Sequence, residues 1–176
     1  MTADTWCVLS TGPSMSQSVA DSVRHLPRVA VNLSYQLAPD AQALAASDMR
    51  FWHDYPEAHQ FAGRKFTTAR AVRGVQRIEG MQQGTCSGVV ALEAAKILGA
   101  TEIILLGMDF SGSHYFGQYK RPSSNNATWV NHRRQFKHWA KCNPSIRVVN
   151  CTTGSKLDVF ELGDIRAYTG SMPAAS

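Results

Sequence analysis

The chain is poor in cysteine. Cys7, Cys86, Cys142 and Cys151 stand apart, and no two are spaced as C-x-x-C. A structural zinc site is therefore not expected, and nothing points to a secreted disulfide framework. Cys7 and Cys151 lie in apolar, strand-like runs and read as buried thiols. No apolar stretch reaches the roughly 18 residues that a membrane span needs. Met1 to Trp6 lacks a basic region followed by an apolar core, so no signal peptide is expected and the expected compartment is the cytoplasm. Neither a Walker loop nor a G-x-G-x-x-G fingerprint is present, which removes two standard phosphate-binding signatures. Basic residues are scattered, with no long run and no recognisable nucleic-acid motif, so no specific nucleic-acid partner is expected. There is no internal repeat and no interdomain linker.

What remains is globular. Of 176 residues, 44% are hydrophobic and 18% charged, a composition that supports a core rather than disorder. Residues 1–170 are expected to form a single domain, with 171–176 a flexible tail. The net charge of +5 suits phosphate-bearing partners, and small phosphorylated ligands fit as well as polymers. Self-association as a homo-oligomer is left open.

Short apolar runs at Trp6–Leu9 and Arg28–Asn32 read as strands, with a polar helix between them over Gln17–Arg24. Ala41–Ala46 is helical in composition, Met49–Trp52 reads as a third strand, and Pro56–Gln60 as one or two helical turns. Lys65–Ala69 and Val75–Ile78 are weaker strands. Val89–Leu98 is apolar nearly all round and predicts a buried helix, with Gly99 as its C-terminal cap. Glu102–Leu106 is a continuous apolar run suited to a central parallel strand. A long polar loop over residues 111–125 follows. Ala127–Lys141 carries Trp129, His132, Phe136 and Trp139 at helical spacing, and Ile146–Val149 is a last strand. Alternating strands and helices predict a Rossmann-like domain: a mostly parallel sheet with helices on both faces.

Small and polar residues gather at the expected strand and helix ends, where α/β sheets bind ligands. After the first strand, Gly12-Pro13-Ser14 is either a plain turn with an N-cap or a close backbone approach to a phosphate. In Gly84-Thr85-Cys86-Ser87-Gly88, Ser87 either caps the buried helix or helps its amides hold an anion. Asp109 ends the central strand and reads as a turn cap or a ligand to metal or ribose. His114, Tyr115 and Tyr119 lie in the long loop. Thr152 and Thr153, in Asn150-Cys151-Thr152-Thr153-Gly154-Ser155, follow the last strand, where hydroxyls suit sugar or phosphate recognition. His132 is either a packing residue or a general base.

In order along the chain, these segments resemble a family. Leu9-Ser10-Thr11-Gly12-Pro13-Ser14-Met15 resembles the G-x-G-P-S-[LM] opening of bacterial lipooligosaccharide sialyltransferases. It also resembles the domain shared by motility-associated flagellin glycosyltransferases and archaeal 6-hydroxymethylpterin pyrophosphokinase-like proteins. Val31-Asn32 resembles the second-strand step. Thr85-Cys86-Ser87-Gly88, Leu98-Gly99-Ala100-Thr101-Glu102-Ile103 and Gly107-Met108-Asp109-Phe110 resemble T-S-G, L-G-[YF]-K-E-I and G-I-D-F. Asn150-Cys151-Thr152-Thr153-Gly154 resembles N-C-T-E-G-G of the flagellin enzymes. The likeness spans most of residues 6 to 160. It implies a Rossmann-like sheet that binds a nucleotide or nucleotide-sugar without a metal fixed by D-x-D. Gly12, Ser14, Asn32, Ser87 and Gly88 would contact the nucleotide, and Tyr115 falls at a phosphate-binding tyrosine. Asp48 falls near a sugar- or base-contacting asparagine. Ser10 replaces the first family glycine. The family's catalytic histidine aligns near Thr128, one turn from His132.

Three functions follow as expectations. The first is a sialyltransferase-like glycosyltransferase that needs no cofactor beyond its nucleotide-sugar donor, with His132 as base and Tyr115 at the leaving phosphate. The second is a pyrophosphokinase-like transferase that needs magnesium, held by Asp48 and Asp109. The third is a non-catalytic nucleotide-binding module.

Overall fold

Successive side chains of a strand point to opposite faces of its sheet. In β1 (Thr5–Leu9), Trp6 and Val8 pack with Val29, Ile103 and Leu105 on one face. Cys7 and Leu9 pack with Ala30, Ile104 and Leu106 on the other. Both faces are apolar because both are covered, as parallel sheets require. The computed structural model describes residues 4–121 and 126–170; the expected tail at 171–176 and residues 122–125 of the polar loop lie outside them.

The further strands are β2 (Arg28–Val31), β3 (Ala43–Ala45), β4 (Arg64–Thr67), β5 (Gln76–Arg77), β6 (Glu102–Leu106), β7 (Arg147–Asn150) and β8 (Glu161–Leu162). They form one eight-stranded sheet in the order β5-β4-β3-β2-β1-β6-β7-β8, and every pairing is parallel. α1 (Gln17–Ser22) and α2 (Met49–Asp54) cover one face through Ala20, Phe51 and Trp52. α3 (Ser87–Ile97) and α4 (Asn126–Cys142) cover the other through Val89, Leu92, Phe136 and Trp139. This is the α/β, Rossmann-like fold that the alternation of elements predicts.

β6 is interior, paired with β1 on one side and β7 on the other. α3 buries Gly88 through Leu92 together with Ala94 and Ala95, and Gly99 follows it at φ +104°, a left-handed conformation that glycine adopts without strain. Strand order runs outward from β1 to β5, and α3 then carries the chain back to β6 on the far side of β1. The order therefore reverses between β1 and β6, the switch point where α/β sheets open a crevice.

Two elements differ from expectation. Ala41–Ala46, helical in composition, contains β3, because Ala43–Ala45 pairs with Val29–Val31 and is fully buried. A three-residue strand enclosed on both faces takes alanine for lack of space, and propensity yields to packing. Met49–Trp52, read as a strand, opens α2 instead. Asp48 caps that helix by accepting from Arg50 N at 2.9 Å, and Phe51, Trp52 and Tyr55 share its buried face.

Candidate functional site

At the switch point lies a cleft of about 700 Å³. Its walls come from the ends of β1, β2, β3 and β6, the start of α3 and one side of α4. Gly12, Asn32, Asp48, Ser87, Gly88, Asp109 and His132 all line it. His114 and Tyr119 line it as well; Pro13, Ser14, Thr85, Tyr115, Thr152 and Thr153 do not.

The two loops at the switch point are locked together. A Cβ on Gly12 would lie 1.9 Å from Asp109 Oδ2 and 2.5 Å from the Gly107 carbonyl oxygen. Gly12 N donates to that same carbonyl at 2.8 Å, so its amide is spent on the fold. Ser14 Oγ donates to Asp109 Oδ2 at 2.7 Å. Asp109 is thus buried as a clamp between strand ends, while still forming part of the cleft wall. Asn32, directly after β2, and Phe110, in the loop after β6, adopt left-handed conformations, with φ of +48° and +54°. They are the non-glycine residues with positive φ among those described, and both line the cleft. Backbone held in a disfavoured region gathers where a site needs it.

The start of α3 faces the cleft with no side-chain cap. Its N-cap is Cys86, and the expected cap, Ser87, is the first helical residue. Ser87 Oγ instead accepts from Ser47 N at 3.0 Å and meets Ser47 Oγ at 3.2 Å, tying the end of β3 to the helix. Gly88 lets α3 approach α4, since a Cβ there would lie 2.8 Å from Phe136 Cζ. The Cys86 thiol is pushed up to about 12 by burial and stays protonated. An uncapped first turn leaves the positive end of the helix dipole directed at the cleft.

Two imidazoles reach the same space. His132, on α4, is half-buried and has no hydrogen-bond partner among the described residues. His114 follows β6, and its Nδ1 lies 2.9 Å from Thr11 Oγ1. Burial lowers the pKa of both below the ordinary histidine value, so both are neutral near pH 7.

Other expected residues build the scaffold behind the cleft. Tyr115 turns away and donates its hydroxyl to Leu33 O at 2.8 Å, with burial pushing the phenol up to about 12. Thr152 is buried and accepts from Met108 N at 3.0 Å. Thr153 and Pro13 are exposed, and Thr85 Oγ1 donates to Gln82 O within a turn. Among the described residues, no three histidine, cysteine or carboxylate side chains gather as a metal cluster. Asp48 and Asp109, the pair a magnesium ion would use, each already hold a protein donor. No helix among the described residues is long and apolar enough to cross a membrane.

The sequence reading missed Arg50, Asp54, Phe110 and Trp129, all on the cleft wall. Arg50 and Asp54 stand four apart and share a face only because α2 is a helix. The available signal was Asp48 ahead of an apolar pair, the pattern of an N-cap. Asp54 in turn accepts from Arg121 Nη2 at 2.9 Å, which fixes the far end of the polar loop to α2. No protein-family model matches the chain, and searches of curated proteins and of solved structures each find no match.

Proposed function

We propose that the chain binds a nucleotide or nucleotide-sugar in the switch-point cleft and acts as a sialyltransferase-like glycosyltransferase. The observation that carries this reading is the convergence on one cleft of the uncapped start of α3 and the His132 ring, which has no hydrogen-bond partner among the described residues. The helix end suits the phosphate of a donor. His132 then takes the proton of an acceptor hydroxyl. The acceptor oxygen bonds to the anomeric carbon as the bond from that carbon to the phosphate oxygen breaks, and the nucleotide leaves with the electron pair. A neutral imidazole is the form this step needs, and burial of His132 favours it.

Titration calorimetry with nucleotides and nucleotide-sugars, with and without magnesium, tests the reading. Metal-independent binding of a nucleotide-sugar, with sugar transferred or hydrolysed, is the expected result. Strict magnesium dependence would favour the pyrophosphokinase-like alternative. Binding without turnover would leave a nucleotide-binding module, and no binding at all would overturn the reading.

A further inference from the structure

A second, smaller cavity opens off the cleft. It holds about 290 Å³ and is lined by Phe110, Ser111, Gly112 and Trp129. All four also line the cleft, so the two spaces are continuous. The volume is near the lower bound for small-molecule sites. Part of the lining is aromatic. Phe110 meets the half-buried Trp129 edge-on, with centroids 5.2 Å apart and 77° between the planes. Phe110 is in turn braced edge-on by Phe136 of the core at 5.7 Å, so the indole rests on a fixed support.

The rest of the lining is polar and unsatisfied. Trp129 Nε1 and Ser111 Oγ have no hydrogen-bond partner among the described residues, and neither is among the buried polar atoms left without one. Both are therefore open to solvent. The backbone N–H groups of Phe110, Ser111, Gly112 and Ser113 make no hydrogen bond among the described residues either. No charged side chain lines this cavity, so it suits a neutral ligand better than a phosphate. A wholly apolar ligand would leave its donors unpaired. A pyranose ring has the matching build. One face of C–H bonds lies flat on the negative face of an indole, and a rim of hydroxyls both donates and accepts.

The cavity also stands beside the residue that would use it. Trp129 precedes His132 by three positions on α4, and both line the cleft. Residues so spaced share a helix face, about 4.5 Å apart along its axis. We propose that this cavity is the acceptor subsite, that the acceptor is a glycan, and that its terminal pyranose ring stacks on Trp129 with a hydroxyl toward His132. The inference rests on the glycosyltransferase reading above and adds the class of acceptor.

Saturation-transfer NMR on the whole chain tests it, with the methyl glycosides of glucose, galactose and mannose as probes and sorbitol as an open-chain control. Glycoside signals are expected, strongest on the C–H protons of one ring face. Equal signals from sorbitol would mean hydroxyl binding without a stacking platform and would overturn the proposal. The glycoside should bind alongside saturating ribonucleoside mono- or diphosphate; displacement by the nucleotide overturns it as well. Trp129→Ala should weaken glycoside binding about tenfold or more, as loss of a stacked ring does, and Trp129→Phe should restore much of it. Thermal melts establish that each variant is folded, and calorimetry with the same nucleotides gives the second readout. A folded Trp129→Ala chain that binds glycosides as the wild type does overturns the inference. So does one that loses nucleotide affinity, since the indole would then be a platform for the base. A wild-type chain that binds nucleotide but no glycoside overturns this inference and leaves the nucleotide reading standing. A wild-type chain that binds none of these nucleotides overturns that reading, and the acceptor role with it.

Discussion

A methyl group on residue 12 has nowhere to go. Its carbon would sit 1.9 Å from Asp109 Oδ2, against a loop already pinned by Ser14. Gly12→Ala should therefore destabilise the fold by about 1–3 kcal/mol, the usual cost of overpacking, measured as a lower denaturant midpoint. Any loss of ligand binding in that variant would report the fold rather than a contact. Ser87→Ala is the cleaner probe, because the serine is half-buried and its hydroxyl serves only the tether to Ser47 and the cleft. If it also meets a phosphate, nucleotide affinity should fall about tenfold or more in calorimetry while the circular dichroism stays unchanged. Among the described residues, His132 has no hydrogen-bond partner that its removal would break. His132→Ala should lower turnover by about a hundred- to ten-thousandfold with nucleotide affinity nearly intact. A variant that loses stability, with activity in proportion to folded protein, would return His132 to a packing role.

α2 shows how a single cap decides what a short element becomes. Asp48 supplies an acceptor for Arg50 N, and the helix it starts turns Arg50 and Asp54 to the cleft. Asp48→Ala should cost about 1 kcal/mol in a denaturant melt. It should also loosen the Asp54–Arg121 pair that holds the polar loop, which faster amide exchange at residues 118–121 would reveal. Six apolar or amphipathic stretches were legible in the sequence, and they became β1, β2, α3, β6, α4 and β7. Each is long or apolar enough for its periodicity to outweigh context. β3 and α2 were not, because an alanine run and a four-residue aromatic run carry no period until the sheet supplies neighbours. At the cleft, Gly12, Asn32, Ser87, Asp109 and His132 were legible as small or polar residues at element ends. Tyr115, which the resemblance puts at a phosphate, donates its hydroxyl to Leu33 O behind the cleft, and its neighbour His114 lines the cleft. Phe110 and Trp129 looked like core, and in part they are, with ring centroids 5.2 Å apart.

The two cleft histidines also shape the stability of the whole molecule. Burial lowers their pKa in the folded chain, so between the folded values and about 6.5 the unfolded chain binds protons that the native one refuses. Stability should therefore be full above about pH 6.5 and fall as the pH drops through that window. Denaturant midpoints measured from about pH 7.5 to about pH 5 should show the decline, and the double variant His114→Gln, His132→Gln should flatten it. Lower still, Asp164, held down to about 2 chiefly by its hydrogen bond from Arg166, adds a second acid loss. The β1–β6 seam has a consequence in time. Thr5 bonds Glu102 across 97 positions of sequence, so the two walls of the cleft come from opposite ends of a long loop of chain. Contacts of such separation close late, after the entropy of the intervening chain has been lost. On the ribosome, no cleft can exist until β6 has emerged. A ligand that binds there meets only the finished fold, so it should slow unfolding in stopped-flow traces and leave the refolding rate where it was.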